Sequence, residues 1–288
     1  MESQENQYRW PKAEAVYPDR PGRSYTLKRL RYRLRAFLHR GLIAQFEQFI
    51  NQHPFLVTLL NERADYSYPL VYRFLDKRFN RKQRFQAICD NLLFLPEKLT
   101  ALSAPIYKTP LSFGEVMPDF EMTLSMTTHQ PMEGYWVLEL WHKPRNELVY
   151  LLTFAKLGEA LLISVVQGPN FEGSKEMVKQ LTKNCHGLRP AYLMVETMKA
   201  LTKALGFNQL LGIPQKYQNK SRFIQSSHYV VDYDAIFAES GGQLKDYWEL
   251  PLEIDRNLDD VPSKKRSMYR KRYAMLDDLA KVIEEKLE

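Results

Sequence analysis

The spacing of apolar residues changes twice along the chain and divides it. From Thr26, Leu27, Leu30, Leu34, Phe37 and Leu38 recur at three- and four-residue steps, with Lys28, Arg29, Arg31 and Arg35 mainly around the rest of the turn. That pattern predicts an amphipathic helix. More helix is expected over 42–50, 54–61, 69–75 and 81–99, interrupted by Gly41, Pro54 and Pro69. At Phe120 the period falls to two, with Phe120, Met122, Leu124 and Met126 alternating with Glu121, Thr123, Ser125 and Thr127. This predicts a half-buried strand. Apolar runs at 135–142, 148–155 and 161–166 follow, joined by links short enough for an antiparallel meander.

After Gln167-Gly168-Pro169 a polar loop leads to His186-Gly187-Leu188-Arg189-Pro190, which opens a helix ending at Gly206. Short β runs are expected at 208–213, 228–233 and 247–252, with a brief helix before Gly241-Gly242. A charged helix from Lys264 to Leu287 closes the chain. The expected fold class is α+β, a helical N-terminal region followed by a mixed, largely antiparallel sheet flanked by helices. Its expected parts are an irregular lead-in over 1–24, a helical region over 25–110, a mixed-sheet core over 111–262 and a basic C-terminal helix over 263–288.

Composition narrows the class. A hydrophobic share of 44% with 26% charged residues rules out wholesale disorder. No apolar run approaches the roughly 20 residues that cross a bilayer, and the N-terminus lacks the pattern of a secretory signal. Cys89 and Cys185 stand far apart and outside any metal-ligand spacing, so two reduced thiols, no metal and a cytoplasmic protein are expected.

The net charge of +7 is local in origin. Arg20, Arg23, Lys28, Arg29, Arg31, Arg33, Arg35 and Arg40 fall in a stretch from 20 to 46 that holds no acid. Lys264, Lys265, Arg266, Arg270, Lys271 and Arg272 form a second block. A basic amphipathic helix at Thr26–His39 fits two roles. It can lie on anionic lipid with Leu27, Leu30, Leu34 and Phe37 in the interface, or it can pack that face on the helical region. Nucleic acid is a weaker expectation, since no recognised module accompanies the two blocks.

The wording KQLTKNCHGLRP, VVDYDAIFAESGG, YWELP and VPSKKRSMYRKRYAMLDDL resembles the VirK/YbjX family of Gram-negative bacterial proteins, in order over roughly Leu70 to Leu279. The family has no established activity. Its association with virulence and envelope phenotypes implies an envelope-related protein or lipid as the target. The element order is also similar to that of GNAT-type acyltransferases. That likeness implies acyl-CoA or acyl-carrier protein as cofactor, held between the fourth and fifth core strands. On it, Gln167 and Gly168 line the cofactor slot, and Gly187, Leu188 and Arg189 meet the pyrophosphate at a helix N-terminus. His186 serves as base or phosphate ligand, and Tyr233, Asp234 and Glu239 form an acid/base group. The usual Q/R-x-x-G-x-G/A loop is absent. The plainer alternatives are a loop-to-helix corner at HGLRP, a simple strand end at Gln167, and an N-cap role for Asp234.

Overall fold

The computed structural model describes residues 7–128, 130–219, 232–259 and 261–288. Its first third is helical: α1 (Ala13–Val16), α2 (Thr26–Leu38), α3 (Arg40–Asn51), α4 (Pro54–Glu62), α5 (Tyr68–Val71) and α6 (Arg81–Lys98). Helix α5 is a single turn, shorter than the 69–75 expected. α6 opens with a capping box, in which Asn80 accepts from the backbone of Lys82 and Gln83 and the Gln83 side chain accepts from the Asn80 N–H. The lead-in is not loose. Tyr8 is buried with its hydroxyl 2.7 Å from Ser67 Oγ, and Trp10 stacks on Tyr32 with ring centroids 6.0 Å apart. An aromatic cluster of Tyr8, Trp10, Tyr17, Tyr32 and Phe46 thus forms the centre of this region.

Eight strands form one sheet in the order β1-β2-β3-β4-β5-β6-β8-β7. They are β1 (Leu111–Met117), β2 (Phe120–Met126), β3 (Trp136–His142), β4 (Glu147–Leu157), β5 (Ala160–Gln167), β6 (Leu210–Gly212), β7 (Gln243–Leu244) and β8 (Trp248–Leu250). β1 to β5 are an antiparallel meander of five strands rather than the four expected, β6 is parallel to β5, and β8 and β7 are antiparallel additions. The remaining helices are α7 (Ser174–Asn184), α8 (Pro190–Ala204), α9 (Tyr233–Glu239) and α10 (Ser263–Leu287). α7 occupies the stretch expected to be a loop. Most of the β run expected at 228–233 lies outside the described residues. α6 and α8 both pack on β4, and α10 packs on α8 and β1.

Polar junctions join the helical region to the sheet. Asn91 of α6 exchanges bonds with the backbone of Lys156 in β4 at 2.7 and 2.9 Å, and a second junction centres on Asp76. The Asp76 side chain is fully buried and receives bonds from Arg78 Nε and Nη2 at 3.0 and 2.7 Å and from the Tyr247 hydroxyl at 2.9 Å. The Arg78 guanidinium lies 3.7 Å from the centroid of the Tyr217 ring. A buried carboxylate that keeps this many donors is fully compensated.

Candidate functional site

β5 and β6 pair from Leu161↔Leu210 to Ile163↔Gly212, and the Ile213 N–H reaches the Ile163 carbonyl. Pro214 then removes the next backbone donor. Beyond this point Ser164 to Gln167 keep only β4 as a partner among the described strands. A bulge leaves Ser164 between the pairs Thr153↔Val165 and Phe154↔Ile163, and its hydroxyl donates to the Thr153 carbonyl at 3.0 Å. The gap on the β6 side is crossed by Gln218, whose Nε2 donates to the Ser164 carbonyl at 3.1 Å. Gly168 sits against the Tyr150 ring, about 3.0 Å from where a Cβ would lie.

The HGLRP corner has a different setting from the phosphate site expected of it. α7 ends in a reversal with His186 and Gly187 at φ of 50° and 77°. The Gly187 N–H donates to the Thr182 carbonyl at 2.8 Å and Leu188 N–H to Cys185 at 3.0 Å. The Gly187 donor is therefore spent inside the turn. The His186 carbonyl accepts from Arg272 Nε and Nη2 of α10 at 3.2 and 2.9 Å. A Cβ on Gly187 would meet Arg272 and Met268. The HGLRP and SKKRSMYRKRY words thus meet each other: the basic helix clasps the corner. His186 and Lys271 line a groove between β1 and α10. Arg189 occupies the N-cap position of α8, with its guanidinium 6.0 Å from the Tyr192 ring. Cys185 is buried beside Met117, and burial pushes its thiol up to about 12, which removes the thiolate at neutral pH.

The acidic group also has structural partners. Asp232, not Asp234, caps α9 by accepting from Ala235 N–H at 3.0 Å. Asp234 ties two elements together, accepting from Gln215 N–H at 3.1 Å and from the Trp248 indole at 2.8 Å. Tyr233 is buried, and Glu239 accepts from the Tyr192 hydroxyl. The Gly241-Gly242 pair ends α9: Gly242 N–H donates to the Phe237 carbonyl at 2.9 Å, and a Cβ there would lie 2.6 Å from that oxygen. Asp234 and Glu239 thus bond to different elements, and Gly168 and Gly187 have separate surroundings.

The arrangement on α2 is of another kind. Leu27, Leu30, Leu34, Phe37 and Leu38 are 58 to 64% exposed. Residues advance by about 100° around a helix, so this stripe is centred ~180° from Tyr32 and Ala36, the side that packs on the aromatic cluster. Arg31 and Arg33 flank it. Several basic side chains are held in place: Arg29 donates to the Tyr17 carbonyl and to Asp19, Arg33 pairs with Glu14, and Arg35 bonds the Tyr68 hydroxyl and covers the Tyr72 ring at 4.0 Å. Lys28 lies over the Tyr25 ring at 5.2 Å, and Arg31 has no ion pair among the described residues. Of the expectations for this helix, the packed apolar face is therefore corrected: its aromatic side packs and its leucine side faces out.

In the C-terminal block, Arg266 and Arg272 serve the fold, Arg266 by donating to the Val261 carbonyl at 3.0 Å. Lys264, Lys265 and Arg270 make no ion pair among the described residues. Among those residues no helix is long and apolar enough to cross a membrane, and no three His, Cys, Asp or Glu side chains gather to hold a metal. The sequence reading passed over Gln218 and Tyr192, and also Glu139, whose only signal was a lone acid at an inward position of an apolar strand.

A family profile described as "Protein of unknown function (DUF535)" matches residues 21–285. An uncharacterized protein of Haemophilus influenzae is 81% identical over 97% of this chain and 96% of its own length. Membrane protein LapB of Mannheimia haemolytica is 65% identical over 75% of this chain and 96% of its own. Uncharacterized protein YbjX of Escherichia coli is 25% identical, over 90% of this chain and 83% of its own. No solved structure matches the chain.

Proposed function

The chain belongs to the DUF535 family, and from that premise we propose that it is a peripheral protein of an anionic membrane surface, with α2 as its contact. The observation that carries this reading is the outward leucine–phenylalanine stripe on a helix bordered by arginines. Five large apolar side chains on one face of one helix form a patch of the sort that marks an interaction surface. Eight cations fall between residues 20 and 46 without an acid. Arg29 and Arg33 are paired with Asp19 and Glu14 from outside that stretch, and the others select a partner with dense negative charge, each worth about 1 kcal/mol close to such a surface. An apolar stripe together with flanking cations suits a helix lying in the headgroup region rather than one that only meets charge. The name of the Mannheimia relative, membrane protein LapB, accords with it. Vesicle flotation tests the proposal. The protein floats with vesicles containing phosphatidylglycerol and stays behind with phosphatidylcholine alone; absence from both fractions refutes it.

Acyl transfer, or acyl-CoA or acyl-carrier binding, is the second reading, with an envelope-related protein or lipid as acceptor. It is supported by the strand order, in which one parallel pair interrupts an antiparallel sheet and parts beyond Ile163. This is the arrangement by which GNAT-type folds admit a pantetheine arm. Gln218 would have to leave the Ser164 carbonyl for an acyl donor's amide to bond there. Labelled acyl-CoA and acyl-carrier protein test this; retention of neither by the protein removes the reading.

A further inference from the structure

A second site lies on the sheet, away from α2 and from the strand gap. Between α4 and the face of β2 and β3 is a cavity of about 610 Å3, within the range of small-molecule sites. In the cross-strand register Thr123 faces Glu139 and Ser125 faces Val137, so Thr123, Ser125 and Glu139 share this face, unusual for positions so well covered. Glu139 is 8% exposed. Its Oε2 accepts from Ser125 Oγ at 3.3 Å and from the Trp141 indole at 3.2 Å, both neutral donors. Its Oε1 receives no bond, and the carboxylate has no ion pair among the described residues. No other charged group of the lining forms an ion pair with it among the described residues. Arg63 is paired with Asp65 at 3.0 Å, and Glu62 and Lys108 are exposed at the mouth with opposite charge. Tyr66, Tyr107 and Trp141 supply aromatic walls.

A carboxylate oxygen that opens onto a sheltered cavity, with its partner oxygen held by neutral donors alone, attracts a cationic ligand more strongly than one in open water. Tyr66 and Tyr107 already carry Arg63 and Lys108 over their rings, at 4.2 and 5.9 Å, so Trp141 is the aromatic wall left for a ligand cation. We infer that this cavity is a binding site for a protonated primary amine on a short chain, with its ammonium on Glu139 Oε1. The shared chemistry belongs equally to a soluble amine and to an ethanolamine lipid headgroup. The inference does not rest on the membrane reading and can fail separately from it.

The indole of Trp141 donates to Glu139, so its N–H resonance reports on the carboxylate directly. The chain has 4 tryptophans, so Trp141→Phe assigns the peak. Ethanolamine is expected to shift it saturably, while ethylene glycol, its neutral counterpart, leaves it unmoved. Glu139→Gln keeps an acceptor for Ser125 and Trp141 and is expected to weaken ethanolamine binding at least tenfold. The absence of a saturable shift, an equal shift with the glycol, or undiminished binding in a folded Glu139→Gln variant overturns the inference. Should that variant not fold, the amine-against-glycol contrast on the unaltered protein decides. Vesicles of equal phosphatidylglycerol content with and without phosphatidylethanolamine identify the source. A lipid ligand raises association of the unaltered protein only, and a soluble ligand gives no such dependence.

Discussion

Replacing Leu30 and Leu34 together by glutamate strikes the centre of the α2 stripe. Fully burying a leucine or phenylalanine is worth about 2 kcal/mol. Side chains 58 to 64% exposed retain roughly 1.2 kcal/mol each of that, or about 6 kcal/mol for the five if all enter the interface. The double substitution removes about 2.4 kcal/mol of this and sets two carboxylates against an anionic surface, at roughly 1 kcal/mol apiece. A loss of about 4 kcal/mol weakens membrane partitioning roughly a thousandfold. The same side chains face solvent, so the melting temperature is expected to stay within ~2 °C of the parent, as for surface substitutions in general. Flotation with phosphatidylglycerol vesicles, with thermal melting alongside, makes the measurement. Unchanged flotation would show that the stripe is not the contact. A collapse in melting temperature would show that it packs in the fold, and the reasoning would fail.

Other outcomes follow from the interior. Asp76→Ala strips a fully buried partner from Arg78 and Tyr247; a loss of about 3 kcal/mol is expected, read by urea denaturation, and less than 1 kcal/mol would contradict the junction's role. Gly187→Ala forces a side chain into φ of 77° beside Arg272, so a loss of about 1–2 kcal/mol is expected with vesicle binding intact. Burial raises the thiols of Cys89 and Cys185 from 9.0 to about 12, so neither should react with a thiol reagent at pH 8 until the chain unfolds. The same shifts fix a sign: stability is full below pH 9.0 and falls as pH rises toward about 12, because the unfolded chain releases those protons first. An alkaline limb starting below pH 8 would not be explained by these groups.

The helices and the meander were legible because each carries a clean period. β1 was not: Gly114 at φ of 80° and register shifts on both sides of Glu115 break its alternation. α7 was missed because only Met177 and Leu181 of its residues are buried, too few to mark a face in so polar a stretch. On α2 the stripe was visible, but its direction was not. A hydropathy count ranks leucine above tyrosine, whereas the aromatic cluster buries Tyr32 and turns the leucines outward. That HGLRP opens a helix was legible, and the corner was the plainer of its two expected roles. What the corner contacts depends on Arg272, 86 residues away, a pairing that no local pattern encodes.

Phe37→Trp puts a reporter at the most exposed stripe position, and its fluorescence, taken as the difference from the unaltered protein with its own 4 tryptophans, tests the central claim most directly. With phosphatidylglycerol vesicles, emission is expected to shift to the blue and to be quenched by lipids brominated near the headgroup end of the acyl chain. An emission that stays as in buffer, unquenched, while the protein remains folded, would contradict the placement of α2 in the membrane interface.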